Sequence, residues 1–325
     1  MTAVDVGGLL QVLTGYQGAA AVAAACRTGL VDALAAAPGS ADDLAARVGL
    51  APGPTRSLLD TLVGLDLVVA DDAGRVRGYA AGDLVARLRS GGDLRAVVDK
   101  EAFFARLWTG LDTTLRTGRP LLPPWRERLQ ATPDVARRFL EALVTLAAET
   151  GPDLTGLDEL GPGRRVVDVG GGLGSYAVPL ALAGAAVTLV DLPAVAGWAR
   201  ESLAGGPPVT VVAADALVDP ACGVEPGSAD AVLLAHVLHD LDDDDARTLL
   251  AGARAALRPG GSVVVVEIPG EGAYGSVFDL MMRVETPGRA RTAAEIHGLL
   301  REAAMVDVRD APYPRPVLVT VGRRA

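Results

Sequence analysis

The residues best suited to chemistry lie in two stretches of the C-terminal half. In VVDVGGGLGSYAVPLALAGAAVTLVD, residues 166–191, Asp168, Gly170, Gly172 and Gly174 form D-x-G-x-G-x-G directly after an apolar run. Glycines so spaced let the backbone turn and approach a ligand, and an acid about 20 residues on can accept hydrogen bonds from ribose hydroxyls. Asp191 is that acid, so a ribose-bearing ligand is expected. The second stretch, LLAHVLHDLDDDDARTLLAGARAALRPGGSVVVVE, residues 233–267, carries His236, His239, Asp240 and Glu267. Imidazole titrates near neutral pH, so a histidine in such a stretch is suited to proton transfer. The acidic run Asp242–Asp245 is expected to open a helix, where carboxylates favour the positive end of the macrodipole; solvation there explains it without a metal.

These groups need a framework to hold them. From residue 164 apolar runs alternate with helical patterns, and strands are expected at 165–169, 187–190, 209–213, 230–235, 262–267, 305–309 and 316–322. Such alternation predicts an α/β fold with a doubly wound, mostly parallel sheet. Residues 97–150 read as further helices, EAFFARLWTGLDTTLRTGRP and DVARRFLEALVTLAAE, joined by the proline-rich LLPPWRERL.

The N-terminal part differs. Residues 8–37 are apolar nearly all round the helical wheel, which predicts burial against another chain or domain, and a homodimer interface is the natural explanation. Next come a helix capped by Ser40 with Asp43 three residues on, a second helix through Leu58, Leu59 and Leu62, and a hairpin turning at Asp72 to Gly74. Helix, turn, helix and wing is also a DNA-binding pattern. Over residues 1–95, however, eight arginines face ten aspartates, and the second helix pairs its single Arg56 with Asp60. That is poor equipment for phosphate contacts.

The 325 residues allow two domains, or one large α/β domain with an added helical part. Half are hydrophobic, yet the long apolar runs are broken by Gly, Pro or charge short of the ~20 residues a membrane span needs. No charged segment followed by an apolar core and cleavage site opens the chain, so a cytoplasmic protein is expected. Cys26 and Cys222 lie far apart in unlike contexts and indicate neither a disulfide framework nor a zinc cluster. The formal net charge of −10 disfavours nucleic acid.

The spacing of the loop separates two cofactor chemistries. NAD proteins usually carry G-x-G-x-x-G, whereas this loop is G-x-G-x-G with an acid two residues before the first glycine. It resembles motif I of the S-adenosylmethionine-dependent methyltransferases. The strand VTVVAAD ends at Asp215, where methyltransferases of this fold commonly place an acid near the adenine. Residues 233–267 resemble the signature region of the plant caffeate-type and bacterial polyketide-type small-molecule O-methyltransferases: a strand, L-H-D-W-x-D-(D/E), a helix, L-x-P-G-G, and a strand ending in Glu. The resemblance covers nearly the whole chain, including LRTGRP, VTLVDLPAV and DLMMRVETPGRARTAAEIHGLL.

The resemblance implies a Rossmann-like catalytic domain of the class I methyltransferase type, with its helical substrate-lining segment, over residues 97–325, and an all-helical, winged-helix dimerisation domain over residues 1–96. It implies S-adenosylmethionine as cofactor, held by Asp168, Gly170, Gly172, Gly174, Asp191, Leu192, Asp215, Ala216 and Ala235. His239 would be the general base, oriented by Glu267, with Asp240 beside it. Phe103, Phe104, Trp108, Phe139, Met281 and Met282 would line a pocket for a flat aromatic or polyketide acceptor. The implied activity is O-methylation of a small aromatic secondary metabolite by a homodimer that engages neither nucleic acid nor membrane.

Arg116 and Arg119 could grip an acceptor carboxylate, although such arginines more often pair with nearby acids. His236 falls where the family varies and receives no role; His297 is expected to be a partly exposed structural residue. Two positions depart from the pattern: Leu241 replaces the aromatic of L-H-D-W, and Ala290 replaces the Glu before Arg291 and Thr292. The second removes one of two acids that commonly hold the base. Relatives on this scaffold also perform decarboxylation, hydroxylation, pericyclic steps or metal-assisted C-methylation of 2-oxo acids. For the last, His239, Asp240 and His297 would be the available ligands, and no metal is expected. A winged-helix regulator that senses a small ligand is the alternative from another class.

Overall fold

A computed structural model describes residues 5–72, 76–314 and 316–325. The chain divides into two compact units, Met1–Thr109 and Gly110–Ala325.

The first unit opens with helices α1 (Val6–Thr14), α2 (Tyr16–Arg27) and α3 (Leu30–Ala36). Short strand β1 (Gly39–Ser40) precedes α4 (Ala41–Val48) and α5 (Pro52–Gly64); β2 (Val68–Asp71) and β3 (Gly78–Ala81) form the wing, followed by α6 (Val85–Leu88) and α7 (Asp93–Leu107). The strands pair antiparallel in the order β1-β3-β2. Ser40 accepts from the backbone N–H of Asp43 and Asp43 reciprocates, the expected capping box. Leu30, Leu34, Leu44, Leu59 and Tyr79 are the centre of the core. Of the anticipated hairpin turn, Ala73 and Gly74 lie outside the described residues. Helix α7 groups with this unit through α2, so the division falls after Thr109 where the sequence suggested residue 96.

Two features of the N-terminal helices revise the sequence reading. Gly15 keeps right-handed helical dihedrals (φ −56°, ψ −28°), so α1 and α2 run on with little interruption. The resulting Val6–Arg27 stretch of 22 residues is, by length and composition, long and apolar enough to cross a membrane, contrary to the expectation that every apolar run is broken short. Burial begins only in α2, at Ala23; α1 has no buried residue and exposes Leu9, Leu10, Val12 and Leu13.

The second unit begins with α8 (Leu111–Thr117), α9 (Trp125–Ala131) and α10 (Pro133–Thr150). Then β4 (Arg165–Val169), α11 (Ala177–Leu182), β5 (Ala186–Asp191), α12 (Pro193–Ser202), β6 (Val209–Ala213), β7 (Ala229–Ala235), α13 (Asp243–Ala256), β8 (Leu257–Glu267), α14 (Gly272–Glu285), α15 (Ala293–Glu302), β9 (Met305–Asp310) and β10 (Leu318–Arg324) follow. The strands form one seven-stranded sheet in the order β6-β5-β4-β7-β8-β10-β9, parallel except for β10, which runs antiparallel between β8 and β9. Strands buried on both faces read as continuous apolar runs. Val263 to Val266 of β8 are such a run, and each fully buried valine contributes about 1.5–3 kcal/mol.

β8 begins five residues before the expected 262, at Leu257, with a register shift against β7 between Ala229 and Ala231. Gly261 permits it, because a Cβ there would lie 2.9 Å from the Asp230 carbonyl oxygen. From β4 the chain builds outward through β5 and β6 on one side, and from β7 through β8 on the other. The carboxyl ends of β4 and β7 therefore flank the point where strand order reverses, the customary ligand crevice of an open α/β sheet.

Candidate active site

The glycine loop leaves the end of β4. Gly170, Gly172 and Gly174 have φ of +70°, +56° and +95°, left-handed conformations that side chains disfavour. A Cβ on Gly170 would sit 2.7 Å from a Val237 methyl, so glycine is also what lets this loop pass the chain leaving β7. Asp191, at the end of β5, braces the loop: its Oδ2 accepts from Gly172 N–H at 2.9 Å and its Oδ1 from Leu192 N–H at 2.7 Å. Burial pushes the Asp191 carboxyl up to about 6 against those two hydrogen bonds. Burial, reinforced by the Asp191 charge, pushes Asp168 up to about 7.

The buried Asp168 Oδ2 has no hydrogen-bond partner within the protein. An orphaned buried carboxylate oxygen beside a second acid invites a cationic or hydroxyl-bearing ligand and would repel a pyrophosphate. These residues thus fit S-adenosylmethionine, which is cationic and lacks phosphate, better than NAD. Leu192 caps α12, and Ala216 and Ala235 lie partly exposed near the ends of β6 and β7. Asp215 is engaged by another group: Arg126 of α9 donates to both of its carboxylate oxygens, to Oδ1 at 2.6 Å, and Leu217 N–H donates to Oδ1 at 3.1 Å.

Beyond β7 a single 3-10 turn, Leu238–Asp240, presents His239. Glu267, the last residue of the adjacent β8, directs Oε2 at His239 Nδ1, 2.6 Å away, while its Oε1 accepts the backbone N–H groups of Leu238 at 2.8 Å and His239 at 3.3 Å. Burial alone would lower the His239 pKa and raise that of Glu267; their mutual attraction overrides both tendencies, raising His239 above and holding Glu267 below its ordinary value. Because Nδ1–H faces the carboxylate, Nε2 carries the lone pair when the ring is neutral. Asp240 Oδ1 stands 3.8 Å from Nε2, with half of its side chain exposed.

Arg291 secures this turn. The residue is 3% exposed, and its guanidinium donates to the carbonyl of Leu238, to that of Leu241 at 3.0 Å and to Asp243 at 2.8 Å. Leu241, in place of the family aromatic, packs against the sheet core. Ala290 is buried and donates its backbone N–H to Asp279 at 3.1 Å, so Glu267 is the acid hydrogen-bonded to His239 among the described residues.

Several neighbours of His239 carry no role in the sequence reading. The Phe278 ring meets the imidazole edge-on, centroids 5.0 Å apart. It precedes Met281 and Met282 on α14 by three and four residues, a helical spacing that could have revealed it. Buried Glu285 pairs with Arg128 of α9 at 3.2 Å, and that guanidinium lies over the rings of Trp125 and Phe139. Met282 is buried and Met281 partly so. Phe103, Phe104 and Trp108 belong to the first compact unit, where Phe103 and Phe104 pack edge to face. Arg116 pairs with Asp112 on the surface of α8.

His236, set aside by the sequence reading, stands with the dyad: one donor atom from each of His236, His239 and Glu267 lies within 4.8 Å of the others. Both Glu267 oxygens already accept hydrogen bonds, from the Leu238 backbone and the His239 ring. His297 is elsewhere, its Nε2 2.7 Å from Asp310 Oδ1, so it does not complete the ligand set suggested for metal-assisted C-methylation.

Residues 124–305 match the model of the O-methyltransferase domain and residues 10–89 that of the O-methyltransferase dimerisation domain. The chain belongs to the O-methyltransferase family. This O-methyltransferase is 33% identical to 3-hydroxy-5-methyl-1-naphthoate 3-O-methyltransferase of Streptomyces sahachiroi, over 95% of this chain and 92% of that relative. It is 35% identical to aclacinomycin 10-hydroxylase of Streptomyces purpurascens over 61% of this chain and 56% of that one. Its fold superposes on human N-acetylserotonin methyltransferase, crystallised with S-adenosylmethionine, with a TM-score of 0.87 at 24% identity, covering 100% of this chain and 99% of that one.

Proposed function

We propose that this enzyme transfers a methyl group from S-adenosylmethionine to a hydroxyl of a small aromatic secondary metabolite, with His239 as general base. The observation that carries the reading is the His239–Glu267 pair standing at the strand-order reversal beside a glycine loop with an unsatisfied buried acid. Bound S-adenosylmethionine supplies a methyl group made electrophilic by its sulfonium.

The protein's own groups do the rest. Asp168 and Asp191, with the loop glycines and Leu192, Ala216 and Ala235, would hold the cofactor's cationic and ribose portions, and Asp215 would join them if Arg126 released its carboxylate. His239 Nε2 removes the acceptor's hydroxyl proton, and Glu267 stabilises the resulting imidazolium through Nδ1–H. Asp240, beside Nε2, favours the same protonated ring. Phe278, Phe139, Met281 and Met282 supply the apolar surface that fixes a flat ring and keeps water from the reacting oxygen. Positioning and general-base action of this kind each contribute orders of magnitude, the base alone about 10²–10⁴-fold.

The exposed apolar residues of α1, lying partly within the dimerisation-domain match, support a homodimer in which a second copy covers them. That occupant also explains a membrane-length apolar helix in a cytoplasmic enzyme that engages neither membrane nor nucleic acid. The deciding experiment measures methyl transfer to phenolic acceptors by wild-type, His239→Ala and His239→Gln proteins. Loss of about 100-fold or more in kcat supports the reading; full activity in either variant overturns the general-base role, and binding of NAD in place of S-adenosylmethionine overturns the cofactor.

A further inference from the structure

His236 is a non-glycine residue held in the left-handed region (φ +57°) at the end of β7, its backbone N–H pinned to the Val266 carbonyl at 2.8 Å. Strained conformations of this kind persist where surrounding structure over-determines them, and they cluster at functional sites. The imidazole is itself positioned: Tyr176 Oη lies 3.4 Å from Nε2 and the two rings stack with centroids 6.3 Å apart. Tyr176 is the N-cap of α11, the helix that follows the glycine loop, so this ring bridges cofactor loop and base. The His236 and His239 centroids are 6.1 Å apart, and His236 is only partly buried.

We propose that His236, oriented by Tyr176, hydrogen-bonds a second acceptor oxygen adjacent to the one facing His239, so that the preferred acceptor is an aromatic ring with two neighbouring oxygen substituents. The inference rests on the reading of His239 as the base. Hydrogen bonds of about 2.9 Å between two imidazoles and a ligand meet oxygens about one hydrogen-bond length apart when the ring nitrogens are as close as these. One ring nitrogen of His236 lies within 4.8 Å of one of His239. Oxygens on adjacent or peri carbons of an aromatic ring have that separation, whereas a lone hydroxyl satisfies one imidazole and leaves the other desolvated. Burial, with the nearby His239, pushes His236 down to about 4 despite the Glu267 charge. A neutral imidazole can serve either a hydroxyl or a carbonyl neighbour, according to its tautomer.

The test compares a dihydroxynaphthalene carrying vicinal hydroxyls with the matching naphthol, by titration calorimetry in the presence of S-adenosylhomocysteine and by steady-state methylation. The wild-type protein is expected to bind the diol at least about tenfold more tightly, since a site built to satisfy a polar group discriminates against the analogue lacking it. His236→Phe should abolish that preference while naphthol and S-adenosylhomocysteine binding stay within about threefold; His236→Asn, which tolerates left-handed backbone and retains hydrogen bonding, should restore part of it. Tyr176→Phe, which leaves the β7 turn untouched, should weaken the preference without removing it. Equal binding of the two compounds by the wild-type protein, failure to bind the diol, or an unchanged preference in His236→Phe overturns the proposal. A diol preference in a protein whose His239→Gln variant methylates the diol at the wild-type rate overturns the general-base reading instead and leaves the recognition role standing.

Discussion

Glu267 spends both carboxylate oxygens on one short segment: Oε2 on the His239 imidazole at 2.6 Å and Oε1 on the backbone N–H groups of Leu238 and His239. One acid thereby sets the turn, the tautomer and the basicity of the ring. Among the described residues Glu267 is the acid hydrogen-bonded to this ring, where the resemblance implies two, and Ala290 stands in place of the second.

The pair makes a pH prediction. Because Glu267 raises the His239 pKa, log kcat/KM should rise with pH on a limb whose midpoint lies above the unperturbed histidine value of about 6.5. In Glu267→Gln the attraction is gone and burial remains, so the midpoint should move to lower pH while the plateau falls about 10–1,000-fold as ring orientation is lost. A pH–rate profile of both proteins reads the two effects separately; an unshifted midpoint refutes the electrostatic part.

Cofactor binding should release protons. Asp168 and Asp191, raised to about 7 and about 6, are partly protonated in the free protein near pH 6. A cation favours their ionised forms, so affinity should increase as pH rises from 5 to 8 and level off above the higher pKa. Calorimetry at pH 6 in buffers of different ionisation enthalpy should show net proton release, which the Asp168→Asn variant should reduce.

Gly170→Ala should damage the loop before it damages the sheet. The left-handed backbone and the 2.7 Å approach to Val237 together predict a loss of about 1–3 kcal/mol in stability. Displacement of the loop should weaken S-adenosylmethionine binding more than tenfold. Thermal melts with and without cofactor distinguish the effects, because the cofactor-induced rise in Tm should shrink in the variant.

Arg291 is the buried clamp on the His239 turn. Arg291→Met leaves the carbonyls of Leu238 and Leu241 without this donor and Asp243 with Arg289 as its remaining guanidinium partner. Asp243 is half exposed, so the cost should be about 2–3 kcal/mol, below that of breaking a fully buried pair. Denaturant unfolding gives that figure, and kcat should fall with KM for the cofactor little changed.

Leu9→Asp combined with Leu13→Asp places two charges on one face of α1, whose side chains are exposed within a single chain. Sedimentation should show a dimer converted to monomer. A dimer unchanged by the double substitution would mean that the second copy docks elsewhere.

Local spacing determined much of this protein. Glycines at alternate positions after an apolar run require a tight turn at a strand end, and Val263 to Val266 declare a strand buried on both faces; from these the loop, the doubly wound sheet and the candidate base are legible in the sequence. The spacing of Phe278 from Met281 and Met282 was present in the chain too, though its meaning depended on knowing which face of α14 meets His239. Other relationships exist only in three dimensions. Arg128 and Glu285 are 157 residues apart, and Arg126 reaches Asp215 across 89, separations at which no periodicity specifies a partner. His236 is the sharpest case: at two-residue strand periodicity it and His239 would face opposite ways. A left-handed residue at 236 and the 3-10 turn after it bring both imidazoles to one side, a decision made by the packing of β7 against β8 and the glycine loop rather than by the spacing of the histidines.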